Sequence, residues 1–228
     1  MRGTFLLVLV LLLLAALLPL RAETRAVDLA LVLAMDISAS IDADEHSLQM
    51  AGLAAALQSP EVREAIQSGP HRRIAIAVTQ WSGLRVQRLV VPWTVVDSDE
   101  SARRLALRVL KAPRADPGGG TSISLALEHA IRLFASAPHA SRRVIDLSTD
   151  GINNIGPPLE EVRRLLKREQ ITVNGLAISN EWPRLQDYLD ERVITGTAAF
   201  SIRASGFPDF EDTMRTKLLR EISGPGLS

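Results

Sequence analysis

Apolar and polar positions along the chain follow two periods, and each change of period marks an element. Residues 27–35 are almost continuously apolar, long enough for one buried strand, and the run stops at Asp36. Residues 41–57 then take up helical spacing, with Met50, Leu53, Ala54 and Leu57 on one face and Asp42 and Glu45 in capping-box positions. Ser59-Pro60 interrupts this helix, and residues 60–66 add a short helical turn. Residues 73–81 and 86–96 are rich in β-formers on either side of Ser82-Gly83, a pattern that predicts a hairpin. Asp97, Ser98 and Asp99 cap a helix with Ala102, Leu105, Ala106, Val109 and Leu110 as its stripe. After the loop at 113–120, Ile123, Leu127, Ile131 and Phe134 form another stripe, and residues 143–149 form a fourth strand. Helices are predicted at 158–170, 182–194 and 209–222, with strands at 171–178 and 198–202 between them. Strands this apolar, alternating with helices, imply an α/β fold. We expect three layers: a doubly wound, mainly parallel six-stranded sheet with helices on both faces and one antiparallel edge strand from the hairpin.

One apolar run stands outside this scheme. Arg2 precedes an apolar stretch at 5–18, and Pro19, Leu20, Arg21 and Ala22 follow it, the layout of a secretory signal peptide. The stretch is shorter than the roughly 20 residues a membrane-spanning helix needs. The chain is therefore expected to divide into a signal peptide at 1–22 and one domain at 23–228, periplasmic or secreted, with no stable membrane anchor after cleavage. Removing 22 of the 228 residues leaves 206, ample for a single core. There is no cysteine, which excludes disulfides, thiol catalysis and a lipid-anchor cysteine. Without Arg2 and Arg21 the 26 basic residues fall to 24 against 26 acidic ones, a balance that points to neither nucleic acid nor an anionic membrane.

The chemistry concentrates where strands end. Asp36, Ser38 and Ser40 place three oxygen-bearing side chains at alternate positions after the first strand. In open α/β sheets ligands sit at the carboxyl ends of parallel strands. Carboxylate and hydroxyl oxygens suit a hard divalent cation such as Mg²⁺, although the same short pattern also suits a capping turn. Thr121 follows Gly118, Gly119 and Gly120, and Asp150-Gly151 ends the fourth strand, so two further loops carry oxygen ligands.

In this order, Asp-x-Ser-x-Ser, Gly-Gly-Thr and Asp-Gly resemble the von Willebrand factor type A domain over essentially the whole of residues 23–228. The segment VIDLSTDGINN, with Trp81-Ser82-Gly83 and Val91-Pro92-Trp93, resembles more narrowly a family of secreted bacterial A-like proteins of uncharacterised function. The resemblance implies a metal-ion-dependent adhesion site for Mg²⁺ or Mn²⁺. Ser38 and Ser40 would bind the metal directly, Thr121 directly in one state, and Asp36 and Asp150 largely through water. An open position would accept an acidic residue from a protein partner. Ala39 stands where that family more often has glycine; its methyl group can stiffen the loop but leaves all five ligand oxygens in place. The implied protein is a secreted, metal-dependent protein-binding module and not an enzyme, because no general base or nucleophile is evident in these motifs. A metal-dependent hydrolase using the same oxygens, or a metal-free scaffold, are the alternatives.

Other chemistries find less support. A haloacid-dehalogenase-type phosphatase needs a second aspartate where Ser38 stands, residues 36–41 do not form a Gly-x-Gly-x-x-Gly loop, and Gly118–Gly120 lacks the lysine of a P-loop. His46, His71, His129 and His139 show no ligand spacing and are expected on the solvated surface, as are the paired arginines at 72–73, 103–104, 142–143 and 163–164. Trp81 and Trp93 are expected to pack in the core or at its rim. Asn153 and Asn154 fit a simple turn after Gly151 and a functional role, bracing the metal loop or contacting a ligand, equally well.

Overall fold

The apolar run at 27–35 forms β1 (Val27–Asp36), buried almost throughout, and that burial puts it in the middle of a sheet. The computed structural model describes residues 26–116, 118–179 and 182–224, and the signal peptide expected at 1–22 lies outside the described residues. β1 pairs in parallel with β2 (Ile74–Trp81) and with β4 (Ala140–Thr149), and β5 (Thr172–Ile178) and β6 (Ser201–Ala204) extend the sheet in parallel beyond β4. The expected hairpin forms, and its second arm, β3 (Gln87–Val96), is the antiparallel edge. The six strands lie in the order β3-β2-β1-β4-β5-β6. Pro92, which has no amide hydrogen to give to a ladder, sits in the edge strand, where proline is tolerated.

Alternation along β1 divides the core. Leu29, Leu31, Leu33 and Met35 face one layer, made by α1 (Ala43–Gln58), α2 (Pro60–Ser68), α3 (Asp99–Lys111) and α7 (Phe210–Ser223). Val32 and Ala34 face the other, made by α4 (Ile123–Leu133), α5 (Leu159–Arg168) and α6 (Leu185–Tyr188). A three-layer, doubly wound α/β fold with a mainly parallel six-stranded sheet results, as the sequence predicts. Trp81 is fully buried, and Trp93 packs on Phe134 while its Nε1 donates to Leu133 O over 2.9 Å, so both tryptophans are packing residues.

Several local expectations change. Leu110 is exposed, because Ala102, Leu105, Ala106 and Val109 already fix the inward face of α3 and the next position turns away by about 100°. The helix expected at 182–194 is α6 followed by a π turn at Leu189–Val193. Leu185, Leu189 and Val193 are all buried at spacings of four, and the wider turn keeps them on the core side where a 3.6-residue helix would drift. The last strand starts at Ser201 rather than 198, after a bridge between Val173 and Thr195 and a bond from Phe200 N to Asn174 Oδ1 (3.1 Å) position the approach. Arg142 is not simply solvated: it donates to Glu221 O (2.8 Å) and Ile222 O (2.7 Å), capping the end of α7.

One buried charged cluster has no counterpart among the sequence expectations. Lys217 Nζ lies 2.7 Å from Asp146 Oδ2 and 2.6 Å from Glu221 Oε1, all three residues are buried, and Asn174 Nδ2 donates to the same Glu221 oxygen over 2.9 Å. Burial, and then the Asp146 carboxylate, push Glu221 up to about 7, against the pull of Lys217 and Asn174.

Candidate metal centre

β1 and β4 are neighbours, so their carboxyl-terminal loops emerge side by side. The register that pairs Met35 with Ser148 brings Asp36 beside Thr149. Asp36 is fully buried at its strand end. Its Oδ1 accepts from Ser38 N (2.7 Å), its Oδ2 accepts from Thr149 Oγ1 (2.6 Å), and its own carbonyl accepts from Gln49 Nε2 of α1 (3.3 Å). The chain then turns so that Ser38 Oγ and Ser40 Oγ are 3.3 Å apart, and Ser40 Oγ donates to Asp150 Oδ1 over 2.9 Å. Asp150 and Ser38 are buried, whereas Ser40 and Ala39 are exposed and open the cluster to solvent.

Thr121 arrives from the third loop. A Cβ on Gly151 would stand 3.4 Å from Thr121 Oγ1, which puts that hydroxyl against the Asp150 turn. Asn154 Oδ1 accepts from Thr121 N (2.8 Å), Asn154 N donates to Thr121 O (3.0 Å), and Asn153 Oδ1 accepts from Ser124 N (3.1 Å). The asparagines thus brace the loop that carries Thr121. All five residues singled out in sequence, Asp36, Ser38, Ser40, Thr121 and Asp150, therefore lie at one end of the sheet.

A polar network missed by pattern reading supports these loops from below. Gln80 Oε1 accepts from Ala115 N (2.8 Å), and Gln80 Nε2 lies 3.1 Å from His46 Nε2. With its oxygen engaged, Gln80 donates to the imidazole, so His46 carries its proton on Nδ1. Burial and then Arg114 hold His46 below the ordinary imidazole range, in keeping with a neutral ring. His46, expected on the surface, is buried and has a structural partner. Arg114 donates to Ile41 O, linking the glycine loop to the start of α1. Thr149 was missed as well, although a hydroxyl one residue before Asp150 at a strand end was visible as a signal.

The electrostatics describe what the cluster lacks. Burial, and next the Asp150 carboxylate, push Asp36 up to about 7, although Thr149 and Ser38 pull it back. No guanidinium or ammonium pairs with Asp36 among the described residues. Two carboxylates and three hydroxyls, without sulfur or imidazole, form a hard all-oxygen donor set of the kind that fits a divalent cation.

Comparison with known proteins agrees with this architecture. The family model described as "Protein of unknown function (DUF1194)" matches residues 26–226. No curated protein matches the chain. Among solved structures, proximal thread matrix protein 1 from the mussel byssus, with a zinc-occupied MIDAS motif, superposes with a TM-score of 0.67 at 17% identity over 87% of this chain and 48% of that one. A von Willebrand factor type A protein from Catenulispora acidiphila gives 0.59 at 19% identity, covering 86% and 43%. The vWF domain of the type V pili tip protein Mfa5 from Porphyromonas gingivalis gives 0.57 at 9%, covering 84% and 94%. The chain spans about half the length of the mussel protein, 48% in that superposition. At these identities the likeness establishes the fold.

Proposed function

The chain belongs to the DUF1194 family of proteins of unknown function and has the von Willebrand factor type A fold, and from that premise we propose that it is an exported, divalent-metal-dependent protein-binding module. Asp36, Ser38, Ser40, Thr121 and Asp150 hold Mg²⁺ or Mn²⁺, and the partner contributes an acidic side chain. The observation that carries this reading is the convergence of the Asp36, Ser38, Ser40 and Asp150 oxygens, with Thr121 beside the Asp150 turn; burial, and next the Asp150 carboxylate, push Asp36 up to about 7. A bound cation supplies positive charge there and attracts an anion. Ser38 and Ser40 offer neutral oxygens, Asp36 and Asp150 orient them or their waters, and the Asn154 brace holds Thr121 in reach. Few carboxylates and several neutral oxygens suit capture of an external carboxylate.

We read the module as non-catalytic. The Ser38 and Ser40 hydroxyls are engaged with each other, Ser40 also with Asp150, and His46 is taken up by Gln80 rather than poised as a base. A mussel matrix protein with a zinc-occupied MIDAS motif and a pilus-tip domain with this fold support a binding role.

The test is thermal. Mg²⁺ or Mn²⁺ at 100 times its Kd should stabilise the protein by about 2.7 kcal/mol and raise Tm, since only the folded state binds it. Asp36→Ala should remove that rise and leave the circular dichroism spectrum native. Identical metal titrations of wild type and variant would overturn the proposal.

A further inference from the structure

A cavity of about 1050 Å³ lies at the end of the sheet opposite the oxygen cluster. Its walls come from the first residues of β4 and β5, the approach to β6 and the last turns of α7. These strands belong to the parallel set that contains β1, so their starts face away from Asp36 and Asp150. Pockets of roughly 300–1,000 Å³ usually hold small molecules, and this one is at the upper end of that range. Arg142, Arg143 and Arg220 line it, together with Glu221, Asn174 and Phe200. Among the described residues, none of the three guanidiniums lies within ion-pair distance of a carboxylate. Glu221 is the one acid on the described wall, and its carboxyl is already engaged: Oε1 lies 2.6 Å from Lys217 Nζ and accepts from Asn174 Nδ2 (2.9 Å). The wall therefore carries an excess of positive charge.

The three arginines are held in different ways. Arg142 has both terminal nitrogens on the carbonyls that end α7, so it contributes charge rather than free donors. Arg143 donates to Glu169 O through one terminal nitrogen and keeps its other N–H groups. Arg220 is exposed, with its Cζ 3.8 Å from the centre of the Phe200 ring. That ring positions the guanidinium without taking any of its donors. Phe200 is itself fixed by the bond from its N to Asn174 Oδ1 (3.1 Å). Ala198, also on the wall, turns the chain toward it with φ of +53°, a conformation that costs energy for a residue with a Cβ.

We infer that this cavity binds a small organic phosphate monoester, with Arg220 and Arg143 gripping the phosphate and Phe200, Val144 and Leu219 receiving an apolar body. Guanidinium forks match phosphate oxygens in paired, charge-assisted bonds. A monoester carries close to two negative charges near pH 7 on one tetrahedral head, which several arginines can share. Val144, Leu219 and Phe200 give the same wall an apolar side. Nothing in this arrangement involves the metal-site residues.

The test uses the full chain dialysed free of metal, so that no cation at the far end of the sheet can take up an anion. Calorimetric titration with phenyl phosphate should show saturable binding. Inorganic phosphate should bind about tenfold more weakly, because it lacks the apolar body, and benzamidine, an aromatic cation, should not bind. Arg220→Gln, a change at an exposed position, should weaken phenyl phosphate about tenfold through lost charged hydrogen bonds, with Tm unchanged. On wild type, amide shifts induced by phenyl phosphate should be confined to residues 140–144, 170–174, 197–200 and 216–224, a measurement that decides the location without any variant. No saturable binding of phenyl phosphate, equal binding by Arg220→Gln, or shifts centred on the Asp36 and Asp150 loops would each overturn the site. Benzamidine or inorganic phosphate binding as tightly as phenyl phosphate would overturn it too.

Discussion

A single hydroxyl ties the two central strands together at the site. Thr149 Oγ1 donates to Asp36 Oδ2 and accepts from Gly151 N (3.1 Å), so it orients one carboxylate and shapes the turn that presents the other. Groups that orient metal ligands typically change affinity 10–100-fold when lost. Thr149→Val keeps the β-branched shape, and calorimetric titration with Mn²⁺ should show at least a roughly tenfold rise in Kd; an unchanged Kd would mean that Asp36 needs no such guide. Glu221 allows a second test through pH. Its folded-state carboxyl is raised from 4.5 to about 7 by burial and by Asp146, with Lys217 and Asn174 opposing. Arg142 donates to its backbone carbonyl and also feels its carboxyl charge. A raised carboxyl binds its proton more tightly in the folded state, so its stabilising contribution is complete below about pH 4.5 and is lost as pH rises through about 7. Urea melts should show a shallower decline between pH 5 and pH 8 for Glu221→Gln than for wild type, and parallel profiles would refute the assignment.

Among the elements, α1 is the one whose start also sets the site. Asp42 Oδ1 accepts from Asp44 N and Glu45 N, each at 2.8 Å, and Glu45 Oε2 returns a bond to Asp42 N at 2.9 Å. Closing the box two residues after Ser40 fixes where the loop ends and the helix begins. Asp42→Ala should destabilise the protein by about 1 kcal/mol, whereas Asp42→Asn, which keeps an acceptor, should lose less. Equal midpoints for Ala and Asn in urea would show that the cap is not what holds this helix start. The hairpin contributes differently: it covers one sheet edge and also lays Gly83 against the glycine loop, so one element serves both pairing and site geometry.

For the molecule as a whole, the strand order carries the functional consequence, since placing β1 between β2 and β4 gathers the loops after all three at one end. Among the described residues no helix is long and apolar enough to cross a membrane. Intact-mass measurement on protein from an exporting host should find the first 22 or so residues removed, and recovery of full-length protein from the cytosol would refute export. The elements, the antiparallel edge and the five candidate ligands were legible in the sequence because each rests on local rules: periodicity, capping and the chemistry of a strand's polar end. Spacing cannot reveal partners far apart in the chain. Thr149 reaches Asp36 across 113 positions, Gln80 meets His46 across 34, and Lys217 neutralises Asp146 from another element altogether. Those contacts exist only once the sheet is assembled, because burial removes water as the competing partner and leaves each polar group to find another. The sequence by itself determined which candidate oxygen groups stand at the strand ends; tertiary structure decided that they meet at one end of the sheet and which backbone and side-chain bonds hold them there.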